Sequence, residues 1–403
     1  MLLLQVLLTE SLYSSAPEVK ALVCYKSPSG KNFPIINPDT GEKITIEFDF
    51  NSASYPETAI IFKPSDPGGR PLKDQFFYSR NENILRNPEF EYLPVTVKDA
   101  RYHFSGSFPD ARAGIEFPFR TKWMFLITDS FDTTRVYDTG YFYVVSDEAS
   151  AGAAFVTESI YDAPLFPVDL SKALTLNLSL RLPDGFFQEY FEAVEVIENN
   201  KFYDGKYYPK NMRADSVLFR TTDGSNFEIT IRGIRPGNSY RQIDITNQSK
   251  YQGDGAYATP DGVETSRFYF RGDKDNNGAM LLAPFNELTS DYITIRFRFT
   301  PPDDSQTGIY LNGSFNYWNP GGMIKMEKSG NRYEASLRLK RGVYDYQYVS
   351  ASADAQKILS DPYVFEGNFF ETDNIYTVLF YYKDQQNRGY SKIIKVLSVH
   401  NGK

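Results

Sequence analysis

The sequence predicts an all-β protein of three consecutive β-sandwich modules. Three observations predict it. Apolar and polar residues alternate with period two in stretch after stretch, aromatic residues make up 16% of the chain, with 30 Tyr and 32 Phe, and 27 Gly and 23 Pro are spread along it. Tyr and Phe fit pleated, half-buried strands, and Gly and Pro supply the turns that many short strands need. At 403 residues the chain is too long for one ordinary core. It suits two or three modules, each able to bury a core without disulfides.

Taken in order, the opening MLLLQVLL reads as a shortened export-signal core, with Ser14, Ser15 and Ala16 as small residues after it. A basic n-region is missing, and Pro17 follows the most obvious cut. VKALVCYK reads as a strand that half-buries the single cysteine, Cys24. That thiol is expected to be inert, because a reactive thiolate needs a base and both histidines lie far off in sequence. KITIEFDF puts Ile44, Ile46, Phe48 and Phe50 on one face and Lys43, Thr45, Glu47 and Asp49 on the other. The stretch 74–94 is the least strand-like and is expected to be irregular, with one short helical turn. ALTLNLSLRL turns Leu174 to Leu182 inward, FEITIRG repeats the pattern, and YITIRFRF sets Ile293, Ile295, Phe297 and Phe299 against Arg296 and Arg298. Each is expected to be a half-buried strand with one wet face. No window sustains a 3.6-residue period over three turns, and beyond the first residues no apolar run approaches the roughly 20 residues of a membrane helix. DEASAGAA (147–154) and LAPFNELTS (282–290) read as linkers, which predicts modules at 17–147, 148–285 and 286–403.

Charge and chemistry exclude several functions. With 51 acidic against 43 basic residues, net −8, the chain lacks the basic surface that nucleic-acid binding needs. Lys340-Arg341 reads as a solvated turn. A hydrolytic triad would have to use His103, which alternates with Tyr102 and Phe104 in a strand, or His400, four residues from the end. The carboxylates fall mostly on outward faces, with nothing to bring two together. Asp273, Asp275, Asn277 and Gly278 begin like a calcium loop, but Pro284 stands where the bidentate Glu belongs, so a polar turn is expected. Arg271-Gly272-Asp273 and the three N-x-S triplets at Asn177, Asn247 and Asn312 are chance-level matches. No catalytic set, metal site or cofactor is expected.

The stretch from Tyr310 to Tyr382 carries two resemblances. Gly313-Ser314-Phe315-Asn316-Tyr317-Trp318 resembles the GxFNxW opening of glycogen-binding modules of the immunoglobulin-like E-set type. Gly342-Val343-Tyr344-Asp345-Tyr346-Gln347-Tyr348 is similar to that family's Tyr-rich strand, and Asp373-Asn374-Ile375 to its closing turn. This likeness implies a carbohydrate site in which Trp318 stacks on a sugar, Asn374 hydrogen-bonds to it, and Asn316 and Tyr317 flank them. Gln347 replaces the family's binding Lys, and 352–358 lacks the second Trp. A second resemblance, to the plug proteins of the type IX secretion system, spans more of the chain. It rests on the strand pair around 36–50, Arg267 to Gly278, Tyr292 to Phe299, the GSFNYWN turn, LKRGVYDYQYV, and above all Gly367 to Tyr376. It implies a non-enzymatic periplasmic protein, peripheral to the outer membrane, that seals a large β-barrel export pore there.

Overall fold

The alternating stretches pair into mainly antiparallel sheets, with short parallel pairs at Tyr292–Thr300 and Val136–Val144, and among the described residues six sheets stack as three two-layer sandwiches. The structure, a computed structural model, describes residues 16–28, 33–78, 82–159, 172–259, 262–267, 275–283, 291–302, 308–354 and 357–401. The apolar N-terminal run and the Arg271-Gly272-Asp273 tripeptide lie outside these. The one α-helix among the described residues is a single turn, Tyr363–Glu366. Within 74–94 the chain forms a 3-10 turn, Gln75–Tyr78, and two short strands, Ile84–Arg86 and Glu91–Tyr92.

In the first sandwich, Glu18–Ser27, Lys43–Asn51, Tyr102–Phe108 and Glu91–Tyr92 form one sheet. Facing it is the sheet of Ile35–Ile36, Val136–Val144, Lys122–Asp129, Thr58–Ser65 and Ile84–Arg86. The period-two pattern works as expected: Ile44, Ile46, Phe48 and Phe50 are all buried, in one core with Phe62, Trp123, Phe125 and Phe142. Removing such rings and branched chains from water, at roughly 25 cal/mol per Å², is what holds the layers together.

The middle sandwich sets Ser150–Ser159, Lys172–Arg181, Asn226–Ile234 and Val217–Thr221 against Lys206–Pro209, Phe191–Glu198, Ile375–Asp384 and Tyr390–His400. In the third, Arg241–Asp244, Gly342–Asp354, Ile309–Gly313 and Ile324–Lys325 face Gly255–Tyr257, Tyr292–Thr300, Arg332–Lys340 and Glu327–Ser329.

This topology corrects the boundaries at 148–285 and 286–403. Ile375–Asp384 pairs with Phe191–Glu198, with Val194 opposite Phe380, so the last two strands complete the middle sandwich. Arg241–Asp244 already belongs to the third, pairing with Gly342–Asp354. The third sandwich is therefore inserted into the middle one rather than following it. The linker at 147–154 is not where the composition puts it, and of the one at 282–290 only Leu282 and Ala283 are among the described residues. Ser150–Ser159 is a strand along the whole of Lys172–Arg181, its small Ala151 and Ala153 packed with Phe155 against the core. Met280–Leu282 pairs with Gly342–Tyr344. Small residues hide a strand because they contribute little to a hydrophobic pattern while still fitting a crowded layer.

Candidate functional site

The Tyr-rich strand Gly342–Asp354 organises the third sandwich. Alternation sends Tyr344, Tyr346 and Tyr348 into the core, all nearly fully buried. A buried phenol needs a hydrogen-bond partner, and each has one. The Tyr344 hydroxyl donates to the Lys340 carbonyl at 2.6 Å, and those of Tyr346 and Tyr348 donate to Glu264 at 3.0 and 2.5 Å. Arg241 bridges two carboxylates here, reaching Glu264 at 3.0 Å and Glu366 at 2.9 Å, and Arg267 adds the second cation at 3.6 Å from Glu366. On the strand's other face Asp345, wholly buried, accepts the backbone N–H groups of Asn276 and Gly278 and the Gln242 amide, each at 2.9 Å. Burial pushes its carboxyl up to about 6 against the Gln242 hydrogen bond, and nearby Asp275 adds to the rise.

The turn after Ile309–Gly313 meets this strand closely. A Cβ on Gly313 would lie 2.7 Å from the Asp345 carbonyl oxygen, so only glycine fits. The Asn316 carboxamide closes the turn, its oxygen accepting from the Gly313 N–H at 3.1 Å and its nitrogen donating to the Gly322 carbonyl at 2.8 Å. Tyr317 and Trp318 then take consecutive left-handed conformations, φ 57° and 58°. The Tyr317 hydroxyl donates to the Leu22 carbonyl of the first sandwich, and its ring stacks on Tyr203 of the middle one at 5.5 Å. Trp318 is 1% exposed; its indole N–H donates to the Gly278 carbonyl at 2.8 Å. Its ring lies 4.6 Å from Tyr240 and 5.4 Å from the Lys201 ammonium. One turn thus touches all three sandwiches, around an apolar cavity of about 40 Å³ lined by Leu22, Cys24, Phe202 and Tyr203 among others.

Entry to and exit from the inserted sandwich run side by side, as residues 235–240 and 367–374. Two irregular segments that run partly buried must satisfy each other's backbone groups where they are covered, and asparagines do so here. Asn238 donates to the Glu366 carbonyl at 2.9 Å, and the Asn368 oxygen accepts from the Gly237 N–H at 3.1 Å. The Phe369 N–H and the Thr372 hydroxyl both donate to the Gly237 carbonyl, at 2.8 and 2.9 Å. Asn374, 3% exposed, donates to the Pro236 carbonyl at 2.7 Å and accepts from Asn199 at 2.8 Å. Asn199 also donates to the Tyr240 hydroxyl at 3.1 Å. Trp318 and Asn374 are therefore linked through Tyr240 and Asn199. The arrangement corrects the sugar-site reading of Tyr317, Trp318 and Asn374, since a stacking platform must present a ring face to solvent and these side chains are spent on the junction; Asn316, the fourth residue of that reading, closes its own turn.

Sequence reasoning missed the groups that receive them, Leu22, Asn199, Tyr203 and Tyr240, which no local pattern marks. It also misread the wet face of KITIEFDF. Asp49 is fully buried against the third sandwich, accepting from Lys340 at 2.7 Å and the Tyr292 hydroxyl at 2.8 Å while its other oxygen meets His103 at 2.8 Å. Burial works against this carboxylate, but the His103 bond and the Lys340 charge outweigh it and hold its pKa below the usual carboxylate range. His103 and Lys340 thus sit in an inter-sandwich clamp, and Lys340 is no solvated turn. Glu195 serves the first–middle contact, accepting from the Tyr143 and Tyr381 hydroxyls at 3.3 and 2.5 Å beside a cavity of about 550 Å³. Burial raises its pKa and, by desolvating the ammonium, lowers that of Lys122 on the same cavity. Burial likewise pushes up the Cys24 thiol. Asp275 caps a turn, accepting from the Asn277 N–H at 2.8 Å. Among the described residues no group of three or more His, Cys, Asp or Glu could hold a metal, and no helix is long and apolar enough to cross a membrane.

No family model and no curated protein matches the chain. Among solved structures, a hypothetical protein from Parabacteroides merdae ATCC 43184 superposes with a TM-score of 0.75 at 17% identity, over 96% of this chain and 98% of that one. At that identity the likeness establishes a shared all-β sandwich fold. A bacterial ice-binding adhesin concerned with host-cell surface retention aligns over 96% of each chain at 8% identity, but its TM-score of 0.13 means no common arrangement.

Proposed function

We propose that this chain is a non-enzymatic periplasmic accessory of type IX protein secretion. It docks on the periplasmic mouth of a large outer-membrane β-barrel export pore and keeps it sealed while no substrate passes. The observation that carries the reading is the use made of its most distinctive segments. Of the segments that resemble the plug family, the turn 313–318 and the run 367–376 go into welding the sandwiches together, and the strand 342–348 holds the core of the third. A plug must hold its shape against the channel it closes, and such a junction supplies that stiffness. A docking surface is at hand on the first sandwich. Tyr92 on the edge strand Glu91–Tyr92 is 72% exposed, Tyr55 lies 6.3 Å away at 45%, and Val95 is fully exposed. Exposed Tyr rings of this kind anchor protein interfaces, combining apolar area with a polar tip.

The test is affinity capture of the tagged chain from gently solubilised envelopes of its native host. A very large outer-membrane β-barrel is expected to co-purify, and the double variant Tyr92→Ala, Val95→Ala, at the two most exposed positions of the surface, is expected to reduce the capture at least tenfold. Recovery of the wild type as a free monomer would overturn the reading.

A further inference from the structure

We propose that the cleft between the middle and third sandwiches binds a small polyhydroxylated carboxylate, a sugar acid of monosaccharide size. This site is separate from the docking surface and does not rest on the secretion reading. The cleft has a volume of about 370 Å³, at the lower end of the range of small-molecule sites. Its wall carries two amide side chains that the fold itself leaves open. Gln347 is 9% exposed, and its carboxamide has no hydrogen-bond partner among the described residues. Asn312 is 7% exposed; its oxygen accepts from the Gly313 N–H at 3.2 Å, and its nitrogen is without an acceptor among the described residues. These amide atoms are not sealed off but open onto the cleft, where they stand as free donors and acceptors for what enters it.

The charges of the cleft indicate what that is. Two of its cations are already neutralised, Lys201 by Glu198 at 2.7 Å and Lys206 by Asp204 at 2.8 Å. Arg232 and Arg235, exposed on its rim, have no carboxylate partner among the described residues. A guanidinium matches a carboxylate through two parallel N–H groups. Tyr363, which packs under Arg235 at 5.3 Å, and Tyr208 add aromatic wall. The amides favour hydroxyls over a bare phosphate. A carboxamide offers both a donor and an acceptor, which hydroxyls satisfy together, whereas phosphate oxygens would repel the amide oxygen.

Isothermal titration of the full chain with glucuronate tests this. Saturable one-to-one binding is expected, weakening as salt rises, with glucose, acetate and inorganic phosphate each at least tenfold weaker. The double variant Arg232→Gln, Arg235→Gln is expected to lose at least tenfold in affinity together with the salt dependence. Both arginines are exposed, so the variant should fold, and its thermal melt verifies that. Gln347→Leu is expected to lose at least tenfold while keeping the salt dependence. Absence of saturable glucuronate binding, or unchanged affinity in the arginine variant, overturns the site. Phosphate binding as tightly as glucuronate overturns the sugar-acid assignment. Capture of an outer-membrane barrel is unaffected by these variants, so failure here is distinguishable from failure of the docking proposal.

Discussion

Asp345 is where single-residue chemistry has its clearest consequence. Its carboxyl is pushed up to about 6 by burial, so the folded state binds its proton more tightly than the unfolded chain, whose Asp titrates near 4. The stabilisation this confers is full below that unfolded value and is lost as pH rises through the folded one. Relative to Asp345→Asn, which cannot titrate, the wild type is expected to lose about 2 kcal/mol of stability between pH 4 and pH 7. Urea denaturation of both proteins across that range measures it, and parallel curves would rule it out. Asp49 acts in the opposite sense. Held below its usual range, its contribution is present above the unfolded value and is lost as pH falls. The sequence hints at both residues unequally. Asp345 stands between inward-pointing tyrosines, which marks the opposite strand face but not its burial, while Asp49 looked like an ordinary wet-face carboxylate.

At the scale of elements, the turn 313–318 was recognisable by its spacing, but its role was not. The GxFNxW pattern specifies a glycine under a close backbone approach and a capping Asn, and both are used that way. Whether the rings that follow face solvent or a neighbour depends on what the chain places above them. Here Tyr203, Tyr240 and Lys201 cover them. Trp318→Ala is therefore expected to destabilise the fold by about 3–5 kcal/mol, the usual cost of emptying a large aromatic site, as read by chemical denaturation. Neither wild type nor variant is expected to be retarded on an α-glucan gel. Retention of the wild type that Trp318→Ala abolished would restore the sugar platform. The run 367–374 follows the same logic: its asparagines answer the carbonyls and N–H groups of 235–240, a need that exists only because the third sandwich is an insertion.

For the whole molecule, insertion makes the middle sandwich depend on the far end of the chain. Ile375–Asp384 lies beside Phe191–Glu198, and Tyr376, Val378 and Phe380 fill its core. A fragment cut at 148–285 lacks these strands and exposes a sheet edge and half a core. It is expected to have no cooperative thermal transition by circular dichroism, whereas the full chain melts cooperatively. A cooperative melt of the fragment would contradict the nested topology. The sandwiches are also tied side to side. Ile35, Tyr143 and Val145 pack on Leu379, Tyr381 and Ile393 between the first and middle ones, and the Asp49–Lys340 ion pair spans the first and third.

By itself the sequence determined the secondary-structure class and the inward faces of the strongly alternating strands, because side-chain alternation is a local property that period-two burial reads out directly. It also marked the turn and the run that hold the molecule together. Only the tertiary structure decided which sandwich each strand joins, which outward faces are covered, and that Trp318 and Asn374 build a junction. Those outcomes depend on contacts between residues far apart in the chain, where spacing and composition carry no information.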